Sequence, residues 1–349
     1  MYSNDSLGRH YEYILQEGHP NGQPHPPADR WSLFCYHLHI MAKTIEQRAA
    51  VTIGTFDGVH RGHQAILARL GEIARTEGLK RVAYAFVFPP RLAVKGETRG
   101  LLLPEETKVG LLERYVERVE RARFKEVADV SAQEFVTRIL LQQLQARAII
   151  VGEGFRFARD RSGDVALLRE ICSSGSVEVI AVPPVIVGGR PVSSTRIRGL
   201  IRAGNVSEAS TLLGRPPLLV GKVITGDRLG SELGYPTANL SVDQRVLLPK
   251  DGIYLVHASW ETGRSPGLLY VGSRPTLRES EHRCEVHLFA RSDTGEEGRL
   301  AVGELYGRTM QLDLQRKLRE DMRFANLSQL QDQIGRDIER ARSMLAQEN

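Results

Sequence analysis

The chain contains little cysteine and no long apolar run. Its 349 residues include three cysteines, Cys35, Cys172 and Cys284, and no Cys-x-x-Cys pair. This usage excludes a disulfide scaffold and a four-cysteine zinc site, and it indicates a reducing compartment such as the cytoplasm. No apolar run approaches the roughly 18 residues that a membrane span needs. Because the N-terminus also lacks a basic patch followed by an apolar segment, we expect neither secretion nor a membrane partner.

Charge of one sign is not concentrated anywhere along the chain. The 47 basic and 42 acidic residues give a net charge of +5, without a block of like charges. A basic excess can indicate nucleic-acid binding, but one this small equally suits anionic small ligands such as nucleotides. We favour the second interpretation and expect no nucleic-acid partner. The composition, 41% hydrophobic and 26% charged, excludes a mainly disordered chain, and the length predicts about two domains.

Residues 1–48 differ from the rest of the chain. They contain five of the ten histidines and four prolines, with no helical or strand period. A histidine-rich segment can bind a metal, but a poorly ordered terminal extension is more usual. We predict such an extension, and we expect Met41, which leads directly into the first convincing strand, to be an alternative start to Met1.

Between residues 49 and 214, strand-like and helix-like segments alternate. The strand-like segments are AAVTIG, RVAYAFVF, ARAIIVG and VEVIAVPPV. Helices are predicted over residues 62–78, 104–122, 131–144 and 163–173. This alternation predicts an α/β domain, with a parallel sheet covered by helices on both faces.

After about Pro216 the segments become short and β-like. LLVGKVITG, GIYLVHASW, GLLYVGS, CEVHLFA and TMQLDL are separated by Gly, Pro and Asp, as in an antiparallel barrel. From Leu327, apolar residues recur at helical spacing, which predicts an amphipathic helix closing the domain. We place the domain boundary at residues 213–217, so that the second domain covers residues 218–349.

The segment GTFDGVHRGH, residues 54–63, lies between a predicted strand and a predicted helix. Gly54 and Gly58 permit a tight backbone, and Gly62 lies at the helix start, where backbone N–H groups favour phosphate. His60 and His63 at the same end can stabilise charge that grows on a phosphorus centre. Half of a metal site and two incidental histidines are the alternatives. A site for phosphate and nucleotidyl transfer explains the whole segment better.

A second segment, SSTRIRGLI from Ser193, has the residues of a helix start. Ser193 to Thr195 can cap the helix, and Arg196 and Arg198 follow at once. Hydroxyls, free N–H groups and guanidinium groups suit a polyphosphate. Alone, the segment is better explained by a capped surface helix, but together with the loop at residues 54–63 it predicts a phosphate site.

Residues 221–240, GKVITGDRLGSELGYPTANL, predict an arch that can lie against phosphates. Its glycines include Gly221, Gly226 and Gly230. Thr237 and Asn239 are two residues apart, so in extended chain their oxygens face one side, as magnesium ligands could. Glu285, on a predicted strand, is either a solvated residue or the carboxylate that takes a proton from a primary alcohol.

These motifs together resemble the prokaryotic bifunctional riboflavin kinase/FAD synthetases. GTFDGVHRGH, VGEGFRF and SSTRIR look like the adenylyltransferase module, a Rossmann-like HxGH nucleotidyltransferase. GYPTANL, CEVHLF and the surrounding segments look like the riboflavin kinase module, an antiparallel barrel with a closing helix. The resemblance covers about residues 50–345.

The resemblance implies two reactions: phosphorylation of riboflavin by ATP to FMN, and adenylylation of FMN by a second ATP to FAD. It also implies magnesium as the cofactor, and we expect a monomer or weak homo-oligomer. The two histidines would assist attack of FMN on the α-phosphate. Thr237 and Asn239 would bind magnesium and ATP phosphates, and Glu285 would act as base on the ribityl 5′-hydroxyl. The residues implicated in the first site are Gly54, Phe56, Asp57, His60, Gly62, His63, Ser194, Thr195 and Arg198.

The chain departs from the usual family pattern at several positions. Gly154 in VGEGF stands where the family usually has Asp or Asn. The other departures are PPRLAV from Pro89 for a PHP-like triplet, Thr225 and Ser231 for a His and an Arg, Leu269 and Tyr270 for a small residue and an Asn, and Ala290 for an Asp. Two alternatives follow: an enzyme that retains only the kinase activity, and a flavin-binding regulator without turnover.

Overall fold

A computed structural model describes residues 48–89, 100–173, 175–226, 229–273, 282–289 and 302–348. The predicted N-terminal extension and the choice between Met1 and Met41 lie outside these residues, as do Ala290 and most of PPRLAV. No helix in these ranges is long and apolar enough to cross a membrane.

The first part of the chain forms a five-stranded parallel sheet with the strand order β3-β2-β1-β4-β5. Its strands are β1 (Ala49–Gly54), β2 (Lys80–Phe86), β3 (Arg118–Ala122), β4 (Ala146–Gly152) and β5 (Glu178–Val182). After β1 the chain builds one side of the sheet, and from β4 it builds the other. In such sheets ligands bind outside the carboxyl ends of the strands, at the point where the order reverses.

Helices cover both faces of this sheet, as the sequence predicts. They are α1 (Arg61–Glu77), α2 (Glu105–Leu112), α3 (Phe124–Val127), α4 (Ala132–Glu134, continued by a π-helix over Phe135–Gln143), α5 (Val165–Cys172), α6 (Ser194–Arg202) and α7 (Val206–Leu213). Leu67 and Leu70 of α1 pack on one face, while Leu168 of α5 packs on the other. Two short strands, β6 (Ile186–Val187) and β7 (Arg190–Pro191), form a separate pair.

The predicted helix over residues 104–122 is wrong in its second half. Helix α2 ends at Leu112, and residues 118–122 form the edge strand β3. The Glu117 carboxylate accepts hydrogen bonds from the backbone N–H and the side chain of Arg81, which fixes the start of β3 beside β2. The charged sequence of β3 resembles that of a helix, but its backbone bonds to β2 determine the strand.

Local capping signals confirm two other helix ends. Helix α1 ends at Gly78, whose φ of 64° is left-handed and whose N–H donates to the Ala74 carbonyl. Helix α6 begins after Ser193, whose side chain accepts a hydrogen bond from the Arg196 N–H at 3.3 Å.

The second part of the chain is a closed, six-stranded antiparallel barrel, with the strand order β10-β11-β12-β9-β8-β13. Its strands are β8 (Leu218–Ile224), β9 (Ala238–Val242), β10 (Gly252–Trp260), β11 (Gly263–Ser273), β12 (His282–Leu288) and β13 (Thr309–Arg319). Of these, β9 was not among the predicted strands. A short helix, α8 (Leu229–Glu232), precedes β9, and α9 (Leu327–Glu348) packs Ile338 and Ala341 onto the barrel wall, as expected for the closing helix.

The two parts share buried contacts. Leu101 belongs to the barrel's apolar core, and its N–H donates to the Arg245 carbonyl at 2.9 Å. Val206 of α7 lies in the same core. Helix α7 ends at Leu213 and β8 begins at Leu218, so residues 214–217 join the two parts, and α7 itself packs against β13 of the barrel.

Candidate active sites

The loop between β1 and α1 lies at the carboxyl end of the central strand and is sharply bent. Phe56, Gly58 and Val59 have positive φ angles of 51°, 83° and 41°. A β-branched residue such as Val59 is rarely found in this region. At Gly58, a Cβ atom would also approach Leu102 Cδ1 to 2.8 Å. The loop is therefore a strained conformation, of the kind found at ligand sites.

Two histidines meet at the start of α1. The His60 and His63 rings stack with centroids 3.7 Å apart, and His60 Nδ1 accepts a hydrogen bond from the His63 N–H at 3.4 Å. Burial lowers the pKa of His60 to about 4. Burial, together with the neighbouring His60, lowers the pKa of His63 well below its ordinary value. Both rings are therefore neutral at pH 7.

One atom of this pair has no partner. His63 Nδ1 is buried and makes no hydrogen bond within the described part of the chain. At Gly62, a Cβ atom would lie 3.1 Å from the His60 ring, so a side chain there would crowd the pair. A buried ring nitrogen without a partner is destabilising, and it suits a site that a ligand completes.

Asp57 and Arg198 are paired with each other. The Arg198 guanidinium donates to the Asp57 carboxylate from Nη2 and to the Gly100 carbonyl from Nε at 2.6 Å. The Asp57 carboxylate also accepts a hydrogen bond from the Leu102 N–H at 3.0 Å. Burial raises the pKa of Asp57, and the Arg198 charge opposes that rise. The two groups therefore hold residues 100–102, although both were predicted to bind nucleotide.

The other predicted residues of this site surround the same loop. The Ser194 hydroxyl donates to the Asp57 carbonyl at 2.9 Å, and Thr195 is exposed in the first turn of α6. Gly54 precedes the loop, where a Cβ would lie 3.2 Å from the Phe56 ring. The structure thus groups eight of the nine implicated residues around this loop, while Thr195 follows Ser194 in the first turn of the same helix.

Lys108 was missed by the sequence reasoning. It is 4% exposed on α2, and its Nζ donates to the carbonyls of Phe86 at 2.5 Å and Val87 at 3.2 Å, at the carboxyl end of β2. Burial lowers its pKa. The signal available in the sequence is its position one turn before Leu112, on the apolar face of the helix.

Gly154 lies in an exposed turn after β4. Nothing comes within 4 Å of the Cβ position there. The turn is held by the Glu153 N–H, which donates to the Val182 carbonyl at 3.0 Å. A side chain at residue 154 therefore has room.

The barrel brings its three predicted reactive residues together. Glu285 of β12 and Asn239 of β9 are direct cross-strand partners. The Thr237 hydroxyl is 3.5 Å from Glu285 Oε2. The result is a cluster of oxygen donors on one face of the barrel wall, a donor set that suits magnesium together with substrate phosphates.

Two of the predicted arch glycines lie directly over this cluster. At Gly226, a Cβ atom would come within 1.9 Å of Asn239 Nδ2, and at Gly230 it would lie 3.0 Å from Thr237 Oγ1. Only glycine therefore permits this close approach of the arch backbone. Residues 227 and 228 and the Ser231 side chain, one of the departures, are outside the described residues.

Gly221 requires a correction, because it is not part of the arch. It lies within β8, where it is buried and pairs with Met310 and Val242. A Cβ there would be 3.0 Å from the Ser241 carbonyl oxygen. Close packing of neighbouring strands explains this glycine, whereas the arch begins after Ile224.

The departures at Leu269 and Tyr270 have different surroundings. Leu269 is fully buried inside the barrel. Tyr270 is the cross-strand neighbour of Glu285, and its hydroxyl lies 3.4 Å from Asp321 Oδ2. Burial, reinforced by Asp321, raises the pKa of Tyr270 to about 12.

Comparison with known families agrees with this division. A family model described as FAD synthetase matches residues 42–196, and one described as riboflavin kinase matches residues 213–345. The fold and the two sites therefore define a two-domain transferase, in which a nucleotidyltransferase domain precedes a riboflavin kinase barrel.

Curated relatives share the whole arrangement. A bifunctional riboflavin kinase/FMN adenylyltransferase of Pseudomonas fluorescens is 37% identical over 307 residues, and one of Escherichia coli K12 is 33% identical over 305 residues. Each match covers 86% of this chain and 94% of the relative. The chain belongs to the family of bifunctional riboflavin kinase/FMN adenylyltransferases.

A solved structure has the same fold. The crystal structure of a protein from Streptococcus pneumoniae, described as a macrolide-efflux protein, superposes with a TM-score of 0.75 at 31% identity. The match covers 84% of this chain and 94% of that protein.

Proposed function

We propose that this chain phosphorylates riboflavin with ATP to give FMN and then adenylylates FMN with a second ATP to give FAD. The observation that carries the proposal is that each domain assembles its own group of reactive side chains. The barrel clusters Thr237, Asn239 and Glu285, and the α/β domain stacks His60 on His63 at a helix N-terminus.

In the barrel, Glu285 accepts the proton of the ribityl 5′-hydroxyl as that oxygen forms a bond to the γ-phosphorus of ATP, and ADP leaves. The Thr237 hydroxyl, close to Glu285, helps to hold the carboxylate in place. Thr237 and Asn239 would hold magnesium, which neutralises phosphate charge when bound. The glycines of the arch let backbone approach the same region.

In the α/β domain, a phosphate oxygen of FMN forms a bond to the α-phosphorus of ATP, and pyrophosphate leaves. This nucleophile is already an anion near pH 7, so the reaction requires no base to activate it. The lowered pKa values of His60 and His63 fit that requirement. As neutral rings, the histidines donate N–H hydrogen bonds to phosphate oxygens, and the α1 N-terminus adds its positive dipole end.

We expect a cytoplasmic protein, a monomer or weak homo-oligomer, with no nucleic-acid partner. The two described cysteines, Cys172 and Cys284, are free and buried, which agrees with a reducing compartment.

The experiment is to incubate the purified protein with riboflavin, MgATP and a pyrophosphatase, and to separate the flavins by chromatography. We expect FMN first and FAD afterwards. Accumulation of FMN without FAD would refute the adenylyltransferase activity, while the absence of FMN would refute the kinase. Flavin binding without either product would instead favour a regulator.

A further inference from the structure

Three consecutive backbone carbonyls of the β1–α1 loop each accept a hydrogen bond from a side chain of a different element. The Ser194 hydroxyl of α6 donates to the Asp57 carbonyl at 2.9 Å. Arg215 Nη2 donates to the Gly58 carbonyl at 2.8 Å. Gln64 Nε2 of α1 donates to the Val59 carbonyl at 2.8 Å. We call Ser194, Arg215 and Gln64 the carbonyl clamp.

Arg215 comes from the segment that joins the two domains. Its other terminal nitrogen, Nη1, donates to the Pro216 carbonyl at 3.0 Å. Burial lowers its pKa to about 10. In the described ranges no carboxylate lies within ion-pair distance of this half-buried side chain, and a guanidinium partly shielded from water is unfavourable unless its donors are used. Its donors are used on backbone carbonyls, one of them in the loop.

The clamp determines where the loop's N–H groups point. In a planar trans peptide the N–H points opposite to the carbonyl. Pinning the carbonyls of Asp57 and Val59 therefore turns the N–H groups of Gly58 and His60 away from the clamp. Between them, the N–H of Val59 donates to the Phe56 carbonyl at 2.9 Å, so Arg215, through the Gly58 carbonyl of the same peptide, holds this turn closed. N–H groups turned outward beside a helix N-terminus, as those of Gly58 and His60 are, bind phosphate.

The clamp also opposes the strain of the loop. Phe56 and Val59 have left-handed backbone angles, which are unfavourable for residues with a side chain unless the surrounding structure holds them. Without the clamp, the loop would relax to ordinary angles and its N–H groups would turn.

The clamp is bonded to the barrel as well. Gln64 Nε2 also donates to the Leu213 carbonyl at 2.8 Å, while the Pro217 carbonyl accepts a hydrogen bond from the Leu314 N–H of β13 at 2.9 Å. Residues 213–217 are therefore attached to the loop on one side and to the kinase barrel on the other.

We propose that Arg215 and Gln64 are positioning residues of the adenylyltransferase site. They set the phosphate-binding loop from behind without touching substrate, and through Arg215 the attachment of the barrel sets the geometry of the other domain's site. This inference rests on the proposed function of the N-terminal domain.

The test uses full-length Arg215→Ala, with both activities measured on the same protein. We expect kcat/KM for ATP in FAD formation to fall about 100-fold, since a small misplacement of a reacting group has that effect. Riboflavin phosphorylation should keep its kcat and KM. Arg215→Lys should retain part of the FAD activity, and added methylguanidinium should partly rescue Arg215→Ala. The matched control is Arg202→Ala, an exposed arginine on α6.

Unchanged FAD formation in Arg215→Ala would overturn the proposal. A parallel loss of both activities without guanidinium rescue would also overturn it, because the residue would then support the fold alone. Should Arg215→Ala fail to fold, Gln64→Leu removes the bonds to the Val59 and Leu213 carbonyls instead and must show the same selective loss.

A binding measurement separates this inference from the proposed function. The nonreactive α,β-methylene ATP should occupy two sites per wild-type chain and one in Arg215→Ala, whether or not the wild type makes FAD. Equal numbers of binding sites for this ATP analogue in the two proteins would contradict the proposed role of the carbonyl clamp.

Discussion

Glu285 is the residue on which the kinase proposal depends most. It is half-buried on β12 and close to the Thr237 hydroxyl. Glu285→Gln keeps the shape and removes the proton acceptor, so we expect phosphorylation to fall about 10²–10⁴-fold. FAD formation from supplied FMN should be unchanged. A coupled assay for ADP measures the first effect.

The matched control is Glu261→Gln, at an exposed residue of the β10–β11 turn, which should leave phosphorylation intact. Full kinase activity in Glu285→Gln would show that the base lies elsewhere.

A substitution at Gly154 tests whether this departure from the family pattern limits the adenylylation of FMN. Because its Cβ position is open, Gly154→Asp should change the free energy of unfolding by no more than about 0.5 kcal/mol. We expect the restored carboxyl group to raise the rate of FAD formation from supplied FMN. A slower rate in a stably folded variant would show that this chain has adapted to the glycine.

At the scale of elements, the secondary structure of a segment is predicted well where it depends on the segment's own residues. Helix α1 illustrates this, since it combines a regular apolar face with a stop at Gly78. Strand β3 shows the opposite, because its helix-like sequence becomes a strand through bonds to β2. Strand β9 was missed as well: it has only five residues, and one of its partners, β12, lies far along the chain.

The close approach of the arch to the barrel site predicts that a side chain at Gly226 disturbs the kinase reaction. In Gly226→Ala, the added methyl group would come within 1.9 Å of Asn239 Nδ2. The arch or Asn239 must then move, so we expect a loss of riboflavin phosphorylation of at least about tenfold, with adenylylation of FMN retained.

A control glycine lies in the middle of helix α1. No atom comes within 4 Å of a Cβ built at Gly71, and Gly71→Ala should stabilise the protein by roughly 0.5–1 kcal/mol. Steady-state kinetics and thermal unfolding of Gly226→Ala and Gly71→Ala measure the two effects. Normal phosphorylation in Gly226→Ala would exclude close approach of the arch during turnover.

At the scale of the whole molecule, the buried histidines predict how stability depends on pH. His60 titrates near 6.5 when unfolded, but its pKa is lowered to about 4 in the folded protein. The unfolded chain therefore binds more protons between these values. The free energy of unfolding is therefore unaffected by the His60 titration above about pH 6.5. It decreases as the pH falls toward 4, by about 3 kcal/mol at pH 4.

Urea unfolding at several pH values from 7 to 4 measures this effect. His60→Asn is the comparison, because asparagine still caps a helix but does not titrate. The variant should lose less stability than the wild type on acidification. If the two proteins lost stability equally on acidification, His60 would not be the group responsible.

The amino-acid sequence by itself determined the class of each domain and predicted most of the residues that the structure groups in the two candidate sites. Strand and helix periods are local properties, and a phosphate loop such as residues 54–63 carries its glycines and histidines close together in the chain. Only the tertiary structure decided what those residues contact. It turned Arg198 onto Asp57, placed Gly221 in the barrel wall and brought Arg215 to the carbonyl of Gly58. The physical reason is that a buried polar group must find its partner in space, and those partners come from segments far apart in the chain.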